Sequence, residues 1–257
     1  MPTPLFENPL FRKIKSSVGR AVADFNLIEE GDRILVGVSG GKDSYTLLHV
    51  LETLRKRAPI RYELMAVTVD SGYPGFHTDR IREYLQETGV PFHLEPSDHY
   101  RIIEAKLRPG SSYCSFCARL KRGTLYGLAQ RFNCNKLALG HHLDDFVETL
   151  LLNQFYVGSL KAMAPRMLAD NGRTTVIRPL VYVPEEDIAA LVRDNGIPVV
   201  SCSCPVSGTG ELKRERMKRL LTELEREIPF VKRSLLTAMG NVQPRHLLDL
   251  GLTKRGA

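Results

Sequence analysis

Apolar residues at Leu10, Phe11, Ile14, Val18, Val22 and Phe25 recur near helical spacing, so the chain opens on an amphipathic helical segment. The period then changes. Short apolar runs at Arg33–Val38, Leu64–Asp70, Phe92–Glu95 and Lys136–Gly140, with a fifth around Thr175–Pro179, predict strands. Between them Tyr45–Arg57, Thr78–Gly89, Leu120–Phe132 and Phe146–Tyr156 carry helical patterns. Alternating strands and helices predict an α/β fold, a doubly wound parallel sheet of about five strands covered on both faces. Beyond Pro179 the pattern is mainly helical, at Pro184–Asn195, Glu211–Glu227 and Pro229–Met239. The expected organisation is a helical segment over residues 1–32, an α/β domain over 33–182 and a helical extension over 183–257. No internal repeat or low-complexity tract interrupts it. In such sheets ligands sit beyond the carboxyl ends of the strands, where Ser39, Asp70 and His141 fall.

At 257 residues the chain can bury an ample core in one large domain. Its 36 Lys+Arg against 29 Asp+Glu give a formal charge of +7, which favours an anionic partner such as RNA. The N-terminus has no apolar run of signal-peptide length, and no stretch approaches the roughly 20 apolar residues of a membrane span. A cytoplasmic protein without membrane contact is expected. In that reducing compartment, closely spaced members of the five cysteines point to metal binding or redox chemistry rather than structural disulfides.

The first strand ends in Ser39-Gly40-Gly41-Lys42-Asp43-Ser44, and a helical pattern follows. Backbone N–H groups at such a junction converge on an anion. Neither the G-x-x-x-x-G-K-[ST] loop nor the G-x-G-x-x-G turn fits, because Gly37, Gly40 and Gly41 are wrongly spaced and Asp43 follows Lys42. Adjacent glycines allow close backbone approach, Ser39 and Ser44 offer hydroxyls, Lys42 supplies positive charge and Asp43 can hold Mg2+. An ordinary strand-to-helix turn with Ser44 near the N-cap is the bland alternative. The six residues resemble the S-G-G-x-D-S signature of the ATP pyrophosphatase (PP-loop) superfamily, whose fold is adenine nucleotide α-hydrolase-like. That resemblance implies cleavage of ATP between its α- and β-phosphates, adenylation of a substrate oxygen and displacement of AMP by a nucleophile. Two further strand ends match: Val69-Asp70-Ser71-Gly72, where Asp70 is expected to contact nucleotide, and Gly140-His141-His142-Leu143-Asp144-Asp145, resembling G-H-x-x-D-D.

Cys114-Ser115-Phe116-Cys117 has metal-ligand spacing and precedes Arg119, Lys121 and Arg122. Zinc, an iron–sulfur cluster, a redox pair and chance all remain open for such a pair. Cys202-Ser203-Cys204 forms a second pair, and four cysteines together would complete a zinc site. Cys134 precedes a core strand and reads as a small buried hydrophobe.

Together with the loop, Ala23–Arg33, Tyr73-Pro74-Gly75-Phe76, Cys114–Gly123, Ala138–His142, Ile177-Arg178-Pro179-Leu180 and Met239–Leu247 resemble the tRNA 2-thiocytidine synthetase family, also called tRNA-cytidine(32) 2-sulfurtransferases. The likeness runs from Leu10 to Leu248. It implies a [4Fe-4S] cluster on Cys114, Cys117 and one later cysteine, taken as Cys204 because Cys-Pro there also resembles related thiouridine synthetases; Cys202 is the alternative. It also implies ATP and Mg2+, with Ser39, Gly40, Gly41, Lys42, Asp43, Ser44, Asp70, Gly140 and His141 binding nucleotide and Lys42, Asp43 and Asp144 serving catalysis. The cytidine C2 oxygen would be adenylated and replaced by sulfur. The implied partners are tRNA, a cysteine desulfurase as sulfur donor and a second copy of the chain in a homodimer. Basic residues expected to meet RNA are Arg119, Lys121, Arg122, Lys213, Arg214, Arg216, Lys218 and Arg219; a solvated helix face is their plain alternative. Tyr73, Phe76 and Tyr113 are candidates for base stacking, against local packing. Alternative functions are a 2-thiouridine synthetase or a lysidine-type ligase of the same superfamily, and a non-catalytic zinc-stabilised RNA-binding module.

Overall fold

A single row of apolar side chains shows how the sheet is built. Leu35 lies level with Leu137, and Leu137 with Val176, across three parallel strands, and all three side chains are buried. The computed structural model describes residues 8–108, 112–200, 204 and 213–248. Contacts divide the chain into two compact units, one of residues 1–142 and 164–209, the other of residues 143–163 and 210–257.

The first unit holds the sheet: β1 (Arg33–Gly37), β2 (Glu63–Asp70), β3 (Phe92–Pro96), β4 (Lys136–Ala138), β5 (Arg166–Leu168) and β6 (Thr175–Ile177), ordered β3-β2-β1-β4-β6-β5. Its helices are α1 (Pro9–Asp24), α2 (Lys42–Arg55), α3 (Thr78–Thr88), α4 (His99–Lys106), α5 (Tyr113–Arg131) and α7 (Glu185–Asp194). The first five strands in spatial order, β3 to β6, are parallel, as crossover helices require. Leu128 and Ala129 of α5 cover the Leu35–Leu137–Val176 row, with Val67 beside it. The opposite face takes α1, α2 and α7, which pack on one another through buried Phe11, Ile14, Leu47, Leu51, Ile188 and Leu191.

Two sequence expectations change here. The sheet has six strands rather than about five, and β5 runs antiparallel to β6. All three β5 residues are exposed, so no alternation of apolar and polar positions marks it as a strand. Helix α5 starts at Tyr113, placing Cys114 and Cys117 inside the helix rather than ahead of it. Ser112 caps it, its Oγ accepting from Ser115 N at 3.3 Å, a start signal that the apolar spacing alone does not show.

The second unit consists of α6 (Leu143–Val157), α8 (Lys213–Glu227) and α9 (Val231–Gly240). Leu143, Val147 and Leu151 of α6 meet Met217 and Leu221 of α8 and Leu235 and Leu236 of α9. Among the described residues no helix is long and apolar enough to cross a membrane.

One buried titrating group makes acid stability predictable. His49 on α2 lies 2.5 Å from the Tyr84 hydroxyl of α3, and burial lowers its pKa from 6.5 to about 4. Between those values the unfolded chain binds a proton that the folded chain does not, so stability falls as pH drops from 6.5 towards 4. The loss is expected to approach about 3 kcal/mol. Urea unfolding at pH 7.5 and pH 4.5 measures it, and His49→Gln should flatten the His49-dependent part of the pH response.

Candidate functional site

The chain leaves β1, builds β2 and β3 on one side, and returns to place β4 on the other. The carboxyl ends of β1 and β4 thus flank the point where the winding reverses, which is where open α/β sheets form a ligand crevice. The Ser39–Ser44 loop follows β1, and Gly140, His141 and His142 follow β4.

The loop is shaped by its own side chains. Ser44 Oγ donates to Gly41 O at 2.8 Å and accepts from Ser39 N at 3.2 Å, while Ser39 Oγ accepts from Gly41 N at 3.3 Å. Gly40 has φ +82°, and a Cβ there would lie 2.8 Å from Ile81 Cδ1 and 3.0 Å from Val200 Cβ. Only glycine fits. Gly41 is the N-cap of α2 and has no side chain to satisfy the helix's first N–H groups, so the helix start is open to an anion.

Charge is gathered on the same turn. Lys42 Nζ lies 3.1 Å from Asp43 Oδ1 and 3.0 Å from Glu185 Oε1 on α7. Burial works against its charge, but the Asp43 and Glu185 carboxylates outweigh that and raise its pKa. His142 Nε2 stands 3.7 Å from Asp43 Oδ1. Glu185 was not a sequence candidate, and His142 was noted only within the Gly140–Asp145 segment. Glu185 opens a helix just after Pro184, a position that reads from sequence as a routine acidic first turn.

Gly140 presses on this loop. A Cβ at Gly140 would sit 3.1 Å from Asp43 C and Ser44 N and 3.2 Å from Asp43 O, all backbone atoms. Gly140→Ala is therefore expected to displace the start of α2 and weaken nucleotide affinity at least about tenfold, or about 1.4 kcal/mol. Titration with ATP against the unmodified chain measures it; equal affinity would show that the two turns move apart freely. His141 is half-buried on the same turn.

Asp70, at the end of β2, is committed to its loop: Oδ1 accepts from Gly72 N at 2.9 Å and Oδ2 from Thr78 Oγ1 at 2.6 Å. Asp144 is buried in the second unit, 2.8 Å from Lys232 Nζ, and Arg214 there pairs with Asp145 at 2.6 Å. Arg214 is thus engaged within its own unit, whereas Arg216, Lys218 and Arg219 are exposed on α8 and Arg119 and Arg122 on α5. Lys213 lies over the Tyr156 ring at 4.6 Å.

The thiols assemble in the first unit. Cys114 is exposed and Cys117 half-buried, one turn apart on α5, where the helix start contributes positive potential. Burial chiefly raises the Tyr113 phenol pKa, a hydrogen bond with Tyr73 works against the rise, and Glu104, then Cys117 and Cys204, add to it. Cys204 belongs to the same unit as Cys114 and Cys117. Cys202 lies outside the described residues. No disulfide takes Cys114, Cys117, Cys134 or Cys204, and Cys134 is a core residue as its sequence setting suggests. Among the described residues no three His, Cys, Asp or Glu side chains are already drawn to metal-ligand distances. The donor chemistry still fits: soft thiolates suit iron–sulfur or zinc ligation. Tyr73 is buried against Tyr100, with ring centroids 5.2 Å apart, so it packs locally rather than presenting a stacking face.

Residues 10–204 match the PP-loop domain family. The tRNA-cytidine(32) 2-sulfurtransferase of Geobacter sulfurreducens is 72% identical over 248 residues, covering 96% of each chain. A protein of the same name from Syntrophotalea carbinolica is 61% identical over 253 residues, covering 98% of each. Among solved structures, the U34-tRNA thiolase NcsA from Methanococcus maripaludis with its [4Fe-4S] cluster shares the fold, with a TM-score of 0.75 at 23% identity, covering 90% of this chain and 78% of that one.

Proposed function

We propose, for a chain that belongs to the tRNA-cytidine(32) 2-sulfurtransferase family of PP-loop proteins, that it thiolates a tRNA cytidine in two steps, the first of which consumes ATP. The observation that carries this reading is the presence in one unit of a pyrophosphate-loop turn, the Cys114–Cys117 pair on α5 and Cys204.

In the first step the C2 oxygen of cytidine attacks the α-phosphorus of ATP and pyrophosphate leaves. The Ser39–Ser44 turn supplies backbone N–H groups and hydroxyls to the phosphates, Gly40 lets the backbone approach, and Lys42 offsets the charge that grows on the departing pyrophosphate. Asp43 is the carboxylate for Mg2+, since it lies on the turn itself. Asp144, paired with Lys232, is the second candidate of the family pattern. Asp70 shapes the edge of the nucleotide site through its loop, and Gly140 and His141 form the facing turn. In the second step sulfur bonds to C2 and AMP departs with the oxygen, leaving 2-thiocytidine. Cys114, Cys117 and Cys204 would hold the [4Fe-4S] cluster, which would supply sulfur-carrying chemistry when bound. A cysteine desulfurase supplies that sulfur. The exposed arginines and lysines of α5 and α8 meet the tRNA backbone. The setting is the cytoplasm and the protein acts as a homodimer.

Anaerobically reconstituted protein, incubated with ATP, a sulfide source and unmodified tRNA, should yield 2-thiocytidine on nucleoside mass spectrometry. Finding 2-thiouridine would move the target to uridine. Colourless protein with one zinc and no thionucleoside would replace the enzyme reading with a zinc-stabilised RNA-binding module.

A further inference from the structure

The loop that Asp70 holds at the end of β2 delivers one side chain to the thiols. Gly72 N donates to Asp70 Oδ1 at 2.9 Å, and Ser97 Oγ donates to Asp70 O at 2.7 Å. Tyr100 N donates to Ser71 O at 2.9 Å, so the loop is fixed from both flanks. Gly72, with φ +74°, has no room for a Cβ, which would lie 3.0 Å from Ser97 O. The next residue, Tyr73, is only 6% exposed and points its hydroxyl at Cys117 Sγ, 3.7 Å away. It is a donor, and Cys117 sulfur is its acceptor.

We infer that Tyr73 is a positioning residue for the iron–sulfur group, its O–H donating to the Cys117 sulfur and setting the group's reduction potential. The inference rests on the cluster reading given under Proposed function. A hydrogen bond to a ligating thiolate withdraws negative charge from it, which favours the reduced, more negative form of the cluster over the oxidised one. The potential therefore rises when the bond is present. The tyrosine's ring is already immobilised against Tyr100, so little ordering remains to be done when the cluster forms.

The test compares wild type, Tyr73→Phe and Tyr100→Phe, each reconstituted anaerobically as the full chain. Iron and sulfide are counted first, and the potential is then read by redox titration followed by electron paramagnetic resonance. Tyr73→Phe should hold as much iron as wild type and titrate at a more negative potential, while Tyr100→Phe should not shift. An unchanged potential in Tyr73→Phe overturns the inference, as does an equal shift in Tyr100→Phe. Iron lost from Tyr73→Phe with its circular dichroism unchanged would make the residue a support for ligation rather than a tuner. Wild type that takes up no iron would instead sink the cluster reading, and the inference with it.

Discussion

Replacing Lys42 by alanine is expected to lower the tRNA-dependent release of pyrophosphate about 10²- to 10³-fold in kcat/KM while leaving iron content unchanged. Lys42 is the first residue of α2, its ammonium held between Asp43 and Glu185 at 3.1 and 3.0 Å. Those carboxylates keep the charge on the side chain despite its partial burial. ATP brings a stronger anion to the same turn, and charge on the leaving pyrophosphate grows as the α–β bond breaks. A fixed cation there stabilises the transition state more than the bound substrate, so the loss should fall mainly on kcat rather than on KM. Arginine restores the charge, but its planar fork differs from the compact ammonium that fits between two carboxylates, so rescue by Lys42→Arg should be partial. Pyrophosphate release by Lys42→Ala within about threefold of wild type would remove Lys42 from the chemistry and leave it as a partner of Glu185.

The part of this site that was legible in the sequence is the part governed by neighbours in the chain. Ser39-Gly40-Gly41-Lys42-Asp43-Ser44 declares itself because one short turn needs two glycines, two hydroxyls and a cation in a fixed order, and the structure forms that turn from those residues. Strands β1, β2, β4 and β6 were legible because a strand buried on both faces must be largely apolar, and the edge strand β3 because Phe92 and Leu94 alternate with His93 and Glu95. Strand β5 was not, since an exposed edge puts no such demand on Arg166, Met167 and Leu168. Helix α4 was missed because eight residues with only His99 and Ile103 buried leave too short a period to recognise. Contacts between distant segments were hidden altogether. Glu185 reaches Lys42 through the packing of α7 on α2, and Tyr73 reaches Cys117 across 44 residues of sequence. Glu185 belongs to no local pattern, and the Tyr73-Pro74-Gly75-Phe76 motif does not tell that its tyrosine meets Cys117; only the fold makes these contacts.

The third thiol is a case where spacing alone leaves Cys202 and Cys204 as alternatives. Cys204→Ala is expected to abolish cluster assembly, taking iron from about four per chain to near zero and ending thiolation, whereas Cys202→Ala should keep both. Tyr113 stands in the first turn of α5, one residue before Cys114. The later cysteine lies in the same unit as the C-x-x-C turn. A cluster held by three thiolates has no spare protein ligand, so removing one leaves two, and both come from a single helical turn. Two thiolates so close in sequence define an edge rather than a site. Serine at 204 keeps the volume but offers a harder oxygen ligand, so Cys204→Ser should assemble less cluster than wild type rather than none. Iron and sulfide counts on anaerobically reconstituted variants read all three outcomes without depending on activity. Full iron in Cys204→Ala with none in Cys202→Ala would reverse the assignment, and would mean that Cys204 sits beside the cluster as a neighbour of Tyr113 without ligating it.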